Sequence, residues 1–356
     1  MKRKITSIIL ALCLCLGLVS TAFAADNTAD KDRPTDADYM VMVILNNSNV
    51  EVTPTDTYNI LDVSGNDSYV CVEFDVPSGT KGFGIIDLST YDVVMYALDA
   101  TVPFTRTDTI VYNGFLRFAA INEDGSATVL DSNTNIAKDE LYDKSREGLM
   151  LAAEDAKAEK VRRESELAET AHVRSSEVLV GGGSDTSLVY SAGNNSSPWT
   201  TDCGINAVAM YLRHMDNYFN NNYVPNTHNT EQKLKVALAV IANNEFGYTT
   251  SISMANLAKL ANKYMSTHSG TGVSSVSKTS YTWTKYKNRI NNGNGKPCIL
   301  YVGAGATSYW TSAHAVVGVG YTSGATSSSG YDIVNSGWTS LGYVQIGTSV
   351  PGSMIK

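Results

Sequence analysis

The chain has 356 residues, 43% of them hydrophobic, and a formal net charge of −8. That acidity excludes nucleic acid as the main partner and otherwise favours a soluble protein. The length is too great for one small core and suits two domains.

Residues 1–24 read as a secretory signal peptide. "MKRK" is a basic head, "ITSIILALCLCLGLVSTAF" is an apolar run, and Ala22-Phe23-Ala24 supplies small residues for cleavage before Ala25. The run is long enough to span a bilayer, but the polar "ADNTADKDRPTDAD" behind it favours cleavage. The expected product is a secreted, extracellular chain of about 330 residues with no stable membrane insertion. Cys13 and Cys15 leave with the signal, while Cys71, Cys203 and Cys298 stay. An odd count in a secreted chain leaves at least one thiol outside any disulfide, and such a thiol is a candidate nucleophile. No Cys/His spacing resembles a zinc site, so no metal or other cofactor is expected.

Residues 25–136 are expected to form a β-rich pro- or accessory domain. "YMVMVIL", "SYVCVEFDV", "GFGIIDL" and "DVVMYAL" are short runs rich in Val, Ile and Tyr, separated by turn residues, and are read as antiparallel strands. This region holds no histidine, and Cys71 in mid-strand reads as a packed thiol. Residues 137–185 form a charged helical linker followed by a Gly/Ser stretch. "AKDELYDKSREGLMLAAEDAKAEKVRRESELAETA" has a helix-forming composition. "VGGGSDTSLVYSAGNNSS" then breaks the helix, and exposed linkers of this kind are where proteolytic nicking concentrates.

Residues 186–356 change order, with helices first and strands later. Behind Cys203, apolar residues fall at Ile205, Val208, Ala209, Leu212 and Met215, the spacing of a buried helix face. "TEQKLKVALAVIANN" and "SMANLAKLANKYM" predict two more helices, capped by Thr230 and Ser253, and "SYTWTKYKNRINN" a fourth. "PCILYVG", "AHAVVGVGY", "YDIVNSG" and "LGYVQIG" are read as strands. Helices followed by an antiparallel sheet make an α+β domain.

Cys203 is placed in the first turn of its helix, with Thr201 or Asp202 as cap. The positive helix end favours thiolate, the form that attacks a carbonyl carbon. His314 heads a strand, and the loop "TSGATSSSG" folds the chain back into a hairpin that ends on Asn335. Asn335 should then lie within a few ladder positions of His314, where its amide can orient the imidazole. Cys, His and Asn together make a nucleophile, base and orienter. His172, His214, His228 and His268 show no metal-like spacing and read as surface residues.

"DCGINAVAMYL", "GKPCILYVG", "HAVVGVGY" and "DIVNSGW", in that order, resemble the papain-like cysteine peptidases, most of all the streptopain-like and bacteriocin-leader-processing branches. The resemblance implies a papain-like catalytic domain in which Cys203 is the nucleophile, His314 the base and Asn335 the orienter, with Trp338 shielding the Asn–His pair. It also implies a polypeptide substrate. Members of the family carry a glutamine shortly before the cysteine as oxyanion donor. None stands between residues 180 and 202, so Asn194 or Asn195 is the implied substitute. "NSGW" also departs from the family's "NSWG". "GFGIIDLSTYDVVMYAL" is similar to streptopain-like pro-segments and implies a zymogen with an intramolecular pro-domain. The alternatives are a thiol acyltransferase or amidase on the same fold, and an inactive papain-like binding or adhesion protein.

Overall fold

The computed structural model describes residues 35–62, 64–88, 91–105, 108–112, 118–130, 134–137, 177–188, 203–247, 252, 254–291, 295–302, 314–322, 331–335, 341–345 and 352–355. The signal-peptide, charged-helix and Ser253-cap expectations, with Thr201 and Asp202, lie outside these residues. The architecture is α+β, with five α-helices among the described residues and one large sheet, antiparallel but for a single bridge. No described helix is long and apolar enough to cross a membrane.

The N-terminal half contributes α1 (Asp36–Ser48) and eight strands. These are β1 (Thr53–Leu61), β2 (Asp67–Asp75), β3 (Lys81–Asp87), β4 (Asp92–Ala97), β5 (Thr109–Tyr112), β6 (Phe118–Ile121), β7 (Ser126–Val129) and β8 (Thr134–Ala137). The strands expected from "SYVCVEFDV", "GFGIIDL" and "DVVMYAL" are β2, β3 and β4. "YMVMVIL" is different, because it lies in helix α1. Its buried residues Tyr39, Met40, Val43, Ile44 and Asn47 recur at helical spacing, and Asp36 and Asp38 sit in the first turn, where the helix dipole favours acids. Val and Ile content suggested a strand, but the 3.6-residue spacing of the buried face decides. Cys71 is wholly buried in β2, and burial pushes its thiol pKa far up.

The second half supplies β9 (Glu177–Leu179), α2 (Cys203–Tyr218), α3 (Glu231–Phe246), α4 (Met254–His268), β10 (Lys278–Ser280) and α5 (Trp283–Asn291). It ends with β11 (Cys298–Val302), β12 (His314–Thr322), β13 (Tyr331–Asn335), β14 (Gly342–Gln345) and β15 (Gly352–Ile355). Thr230 caps α3 as expected, its hydroxyl accepting from the Lys233 N–H, and Gly247 closes the helix at φ 62°, where a glycine avoids Cβ strain. The three short strands β9, β10 and β15 were not foreseen.

Strand order runs β10-β15-β11-β12-β13-β14-β4-β3-β2-β1-β5-β6-β7-β8, with β9 pairing β12 beyond the end of β11. The two halves of the chain are therefore joined through β14 and β4, in the register Gly342 to Ala97, Tyr343 to Tyr96 and Val344 to Met95. Tyr96 stacks on Tyr343 with ring centroids 4.4 Å apart, and its edge meets Tyr331 at 5.4 Å. The Tyr331 hydroxyl donates to Val93 O at 2.8 Å, and the Tyr343 hydroxyl bonds Glu177. All three rings are buried, so this seam is part of the core. Asp36–Lys356 accordingly form one compact unit.

Candidate active site

Helix α2 is the centre of the second half. Every residue from Gly204 to Leu212 is buried, as expected of a helix surrounded by protein on all sides. It packs against β11 and β12 on one side and α3 and α4 on another. Cys203 is its first residue and is only partly buried, so the thiol sits at the positive end of the helix, near the surface. Cys298, on β11, is wholly buried, and neither thiol is in a disulfide.

His314 is the first residue of β12, the strand against which α2 packs, and it pairs with Val302 of β11. On the other edge β13 runs antiparallel, with a register shift between Gly318 and Gly320. Asn335 closes β13 opposite Val317, three positions along the ladder from His314. The hairpin thus brings the two within the few positions expected. Asn335 is 1% exposed, and its side-chain oxygen has no hydrogen-bond partner among the described residues. A buried carbonyl without a donor costs about 1–3 kcal/mol, so this acceptor is suited to an N–H brought to it. Asn194, Asn195 and Trp338 lie outside the described residues.

The lower part of the sheet is held by a tyrosine–carboxyl cluster. Asp332 of β13 is wholly buried, and the Tyr281 hydroxyl donates to both its oxygens, at 3.2 and 3.0 Å. Burial drives this carboxyl well above its ordinary pKa. The Tyr286 hydroxyl donates to Gly320 O at 2.6 Å. Its ring occupies the space a Cβ at Gly318 would take, coming within 2.7 Å of that position. This cluster anchors α5 to β12 and β13 and keeps their register.

Two residues of α2 were misread or missed. His214 is not a surface residue: it is wholly buried, with Nε2 donating to Gly181 O at 2.7 Å and Nδ1 without a partner among the described residues. Burial lowers its pKa, and the ring pins the turn behind β9 to the helix. His228 and His268 are partly buried, packed edge to face at 4.8 Å beside Tyr264, and His172 lies outside the described residues. Asn206 was not foreseen. It stands three residues after Cys203, so its side chain lies over the first turn of the helix. It is 2% exposed, and both its amide oxygen and its amide nitrogen lack partners among the described residues. One amide inside the buried run "GINAVAMYL" was the available signal.

Among the described residues no group of three or more His, Cys, Asp or Glu could hold a metal ion. The arrangement offers a partly exposed thiol at a helix N-terminus, a histidine heading the adjoining strand and, on the next, a buried amide whose oxygen lacks a partner among the described residues. That set can support nucleophilic attack by sulfur with proton transfer through an imidazole.

Comparison with curated proteins returned no match. Residues 189–341, which include Cys203, His314 and Asn335, match the model of the Peptidase_C39 like family, a cysteine peptidase family whose substrates are polypeptides. The match supports a papain-like cysteine peptidase superfamily for residues 189–341.

Proposed function

We propose that the protein is a secreted peptidase that hydrolyses peptide bonds through a thiol acyl-enzyme. Cys203 is the nucleophile, His314 the base and Asn335 the orienter. The Cys203 sulfur attacks the scissile carbonyl carbon as His314 takes the thiol proton. The imidazolium returns that proton to the leaving amine, and the C–N bond breaks. Water, deprotonated by His314, then attacks the thioester and restores the thiol. The Cys203 backbone N–H at the open end of α2 and an amide from Asn194 or Asn195 serve the oxyanion. Trp338, on the segment after Asn335, covers the Asn–His pair.

The observation that carries this reading is the Asn335 oxygen. It is buried and without a partner among the described residues, on the strand next to the one His314 heads, and α2 packs against the strand that His314 heads. A purely structural asparagine in that place would be expected to have found a donor. We also read the chain as a zymogen, with the N-terminal half as the pro- or accessory unit and activation by a cut between about residues 172 and 196.

An epoxide inhibitor of thiol peptidases, followed by peptide mapping, tests the assignment. The label is expected on Cys203 alone, with Cys71 and Cys298 as buried internal controls. A label on either control, or none on Cys203 in protein that cleaves a peptide, would overturn it.

A further inference from the structure

Between Glu245 and Asp332 the sequence has no Asp or Glu, yet it holds six lysines and one arginine. In a chain of net charge −8 this is a local reversal of sign. Three of these cations, Lys285, Arg289 and Lys296, converge on one cavity of about 370 Å³. Lys285 and Arg289 lie four apart on α5 and so share a face. Lys296 arrives from the segment ahead of β11, its backbone N–H bonded to Arg289 O at 3.3 Å. Ser274, Ser275 and Ser277 bring hydroxyl groups from the segment leading into β10. Among the described residues no carboxylate lines the cavity.

The partners these cations do have are neutral. Lys285 Nζ donates to Ser280 Oγ at 2.9 Å, and Arg289 reaches Pro297 O at 3.4 Å and the Tyr211 hydroxyl. None of the three forms an ion pair among the described residues. Three like charges around one hollow repel one another unless an anion sits between them. The volume falls in the range of small-ligand sites and exceeds the need of a lone ion. Tyr211 in the cavity wall is eight residues along α2 from Cys203, about 12 Å by helix rise. The cavity is therefore away from the helix end that carries the thiol.

We propose that this cavity binds a tetrahedral oxyanion, a phosphate or sulfate group, either free or carried as an ester on a sugar. A carboxylate has one charge and two acceptors, whereas cations and hydroxyls on several walls suit a group with more charge and acceptors in several directions. The inference is independent of the peptidase reading.

Isothermal titration of the purified full chain with sodium phosphate, sodium sulfate, glucose 6-phosphate and sodium acetate, at ionic strength matched with sodium chloride, tests it. Saturable one-site binding of phosphate or sulfate is expected, weakening with added salt, and acetate should bind far less. Glucose 6-phosphate binding more tightly than phosphate identifies an ester ligand, and equal affinities identify the free ion. Lys285→Gln with Lys296→Gln should weaken phosphate binding about tenfold or more, while Lys81→Gln, on the distant strand β3, changes nothing. If the double variant does not fold, either single variant should still weaken binding several-fold. No saturable binding, acetate binding as tight as phosphate, or a folded variant that binds like wild type would overturn the proposal.

Discussion

Asn206 gives the sharpest test of how the buried helix is built. Its amide is 2% exposed, and neither polar atom has a partner among the described residues. An unpaired buried polar group costs about 1–3 kcal/mol. Asn206→Leu keeps four side-chain heavy atoms in nearly the same shape and removes both the donor and the acceptor. Some crowding by the two methyls offsets part of the gain. The net expectation is a variant more stable by about 1–2 kcal/mol, taking the lower half of the range for the unpaired group. At about 2–4 °C per kcal/mol for a chain of somewhat smaller size, the melting point rises by a few degrees. Urea unfolding should show a higher midpoint at an unchanged slope. A loss of 1 kcal/mol or more on the same assay, a magnitude typical of a broken buried hydrogen bond, would show that the amide is satisfied and the reasoning wrong. The variant also separates structure from activity. Because the side chain lies over the turn that holds Cys203, alkylation of Cys203 is expected to slow. An unchanged alkylation rate would leave Asn206 as a pure cost to stability.

His314→Ala should lower peptide hydrolysis by about 10² to 10⁴, whereas Asn335→Ala, which only loosens the ring, should cost less; activity of His314→Ala equal to wild type would reject the assignment. Asp332→Asn should stabilise the protein near pH 7. Burial raises this carboxyl's pKa, so its contribution is fully present below the ordinary carboxyl range and is lost as pH rises toward the folded value. Among the described residues, the groups that interact with it are Tyr281 and Tyr286, neither of them a cation. The gain should therefore shrink when melting is repeated near pH 4, and a gain independent of pH would contradict it. A chain beginning at Glu177 should self-associate on gel filtration, because the β14 edge and the rings of Tyr331 and Tyr343 lose their cover. A monomer with the melting point of the full chain would show that the seam contributes little.

Local signals in the sequence were reliable where neighbours in the chain settle the outcome. Thr230 ahead of an amphipathic run specified the start of α3, and the Val/Tyr-rich runs specified β2, β3, β11 and β12. "YMVMVIL" was misread because β-branched content and helical spacing conflict there, and burial against the sheet favours the helix. Strand β15 pairs with both β10 and β11, so its short "GSMI" carries too little pattern of its own to be recognised. The placement of His314 and Asn335 on neighbouring strands was legible because one hairpin joins them. That Asn206 has no partner among the described residues, and that His214 is buried, depend on what packs around α2 from distant segments, and no local pattern encodes that.

The β4–β14 pairing decides what a proteolytic cut would accomplish. Severing the peptide backbone between about residues 172 and 196 breaks one covalent connection and leaves the ladder from Met95 to Ala97, the stacked Tyr96 and Tyr343, and the Tyr331–Val93 bond in place. The product would be a two-chain protein held by sheet continuity. It would run as two bands after denaturation and as one species in native buffer. Any gain in activity on cutting would then come from freeing the connecting segment, with the N-terminal strands retained as a permanent flank of the C-terminal half.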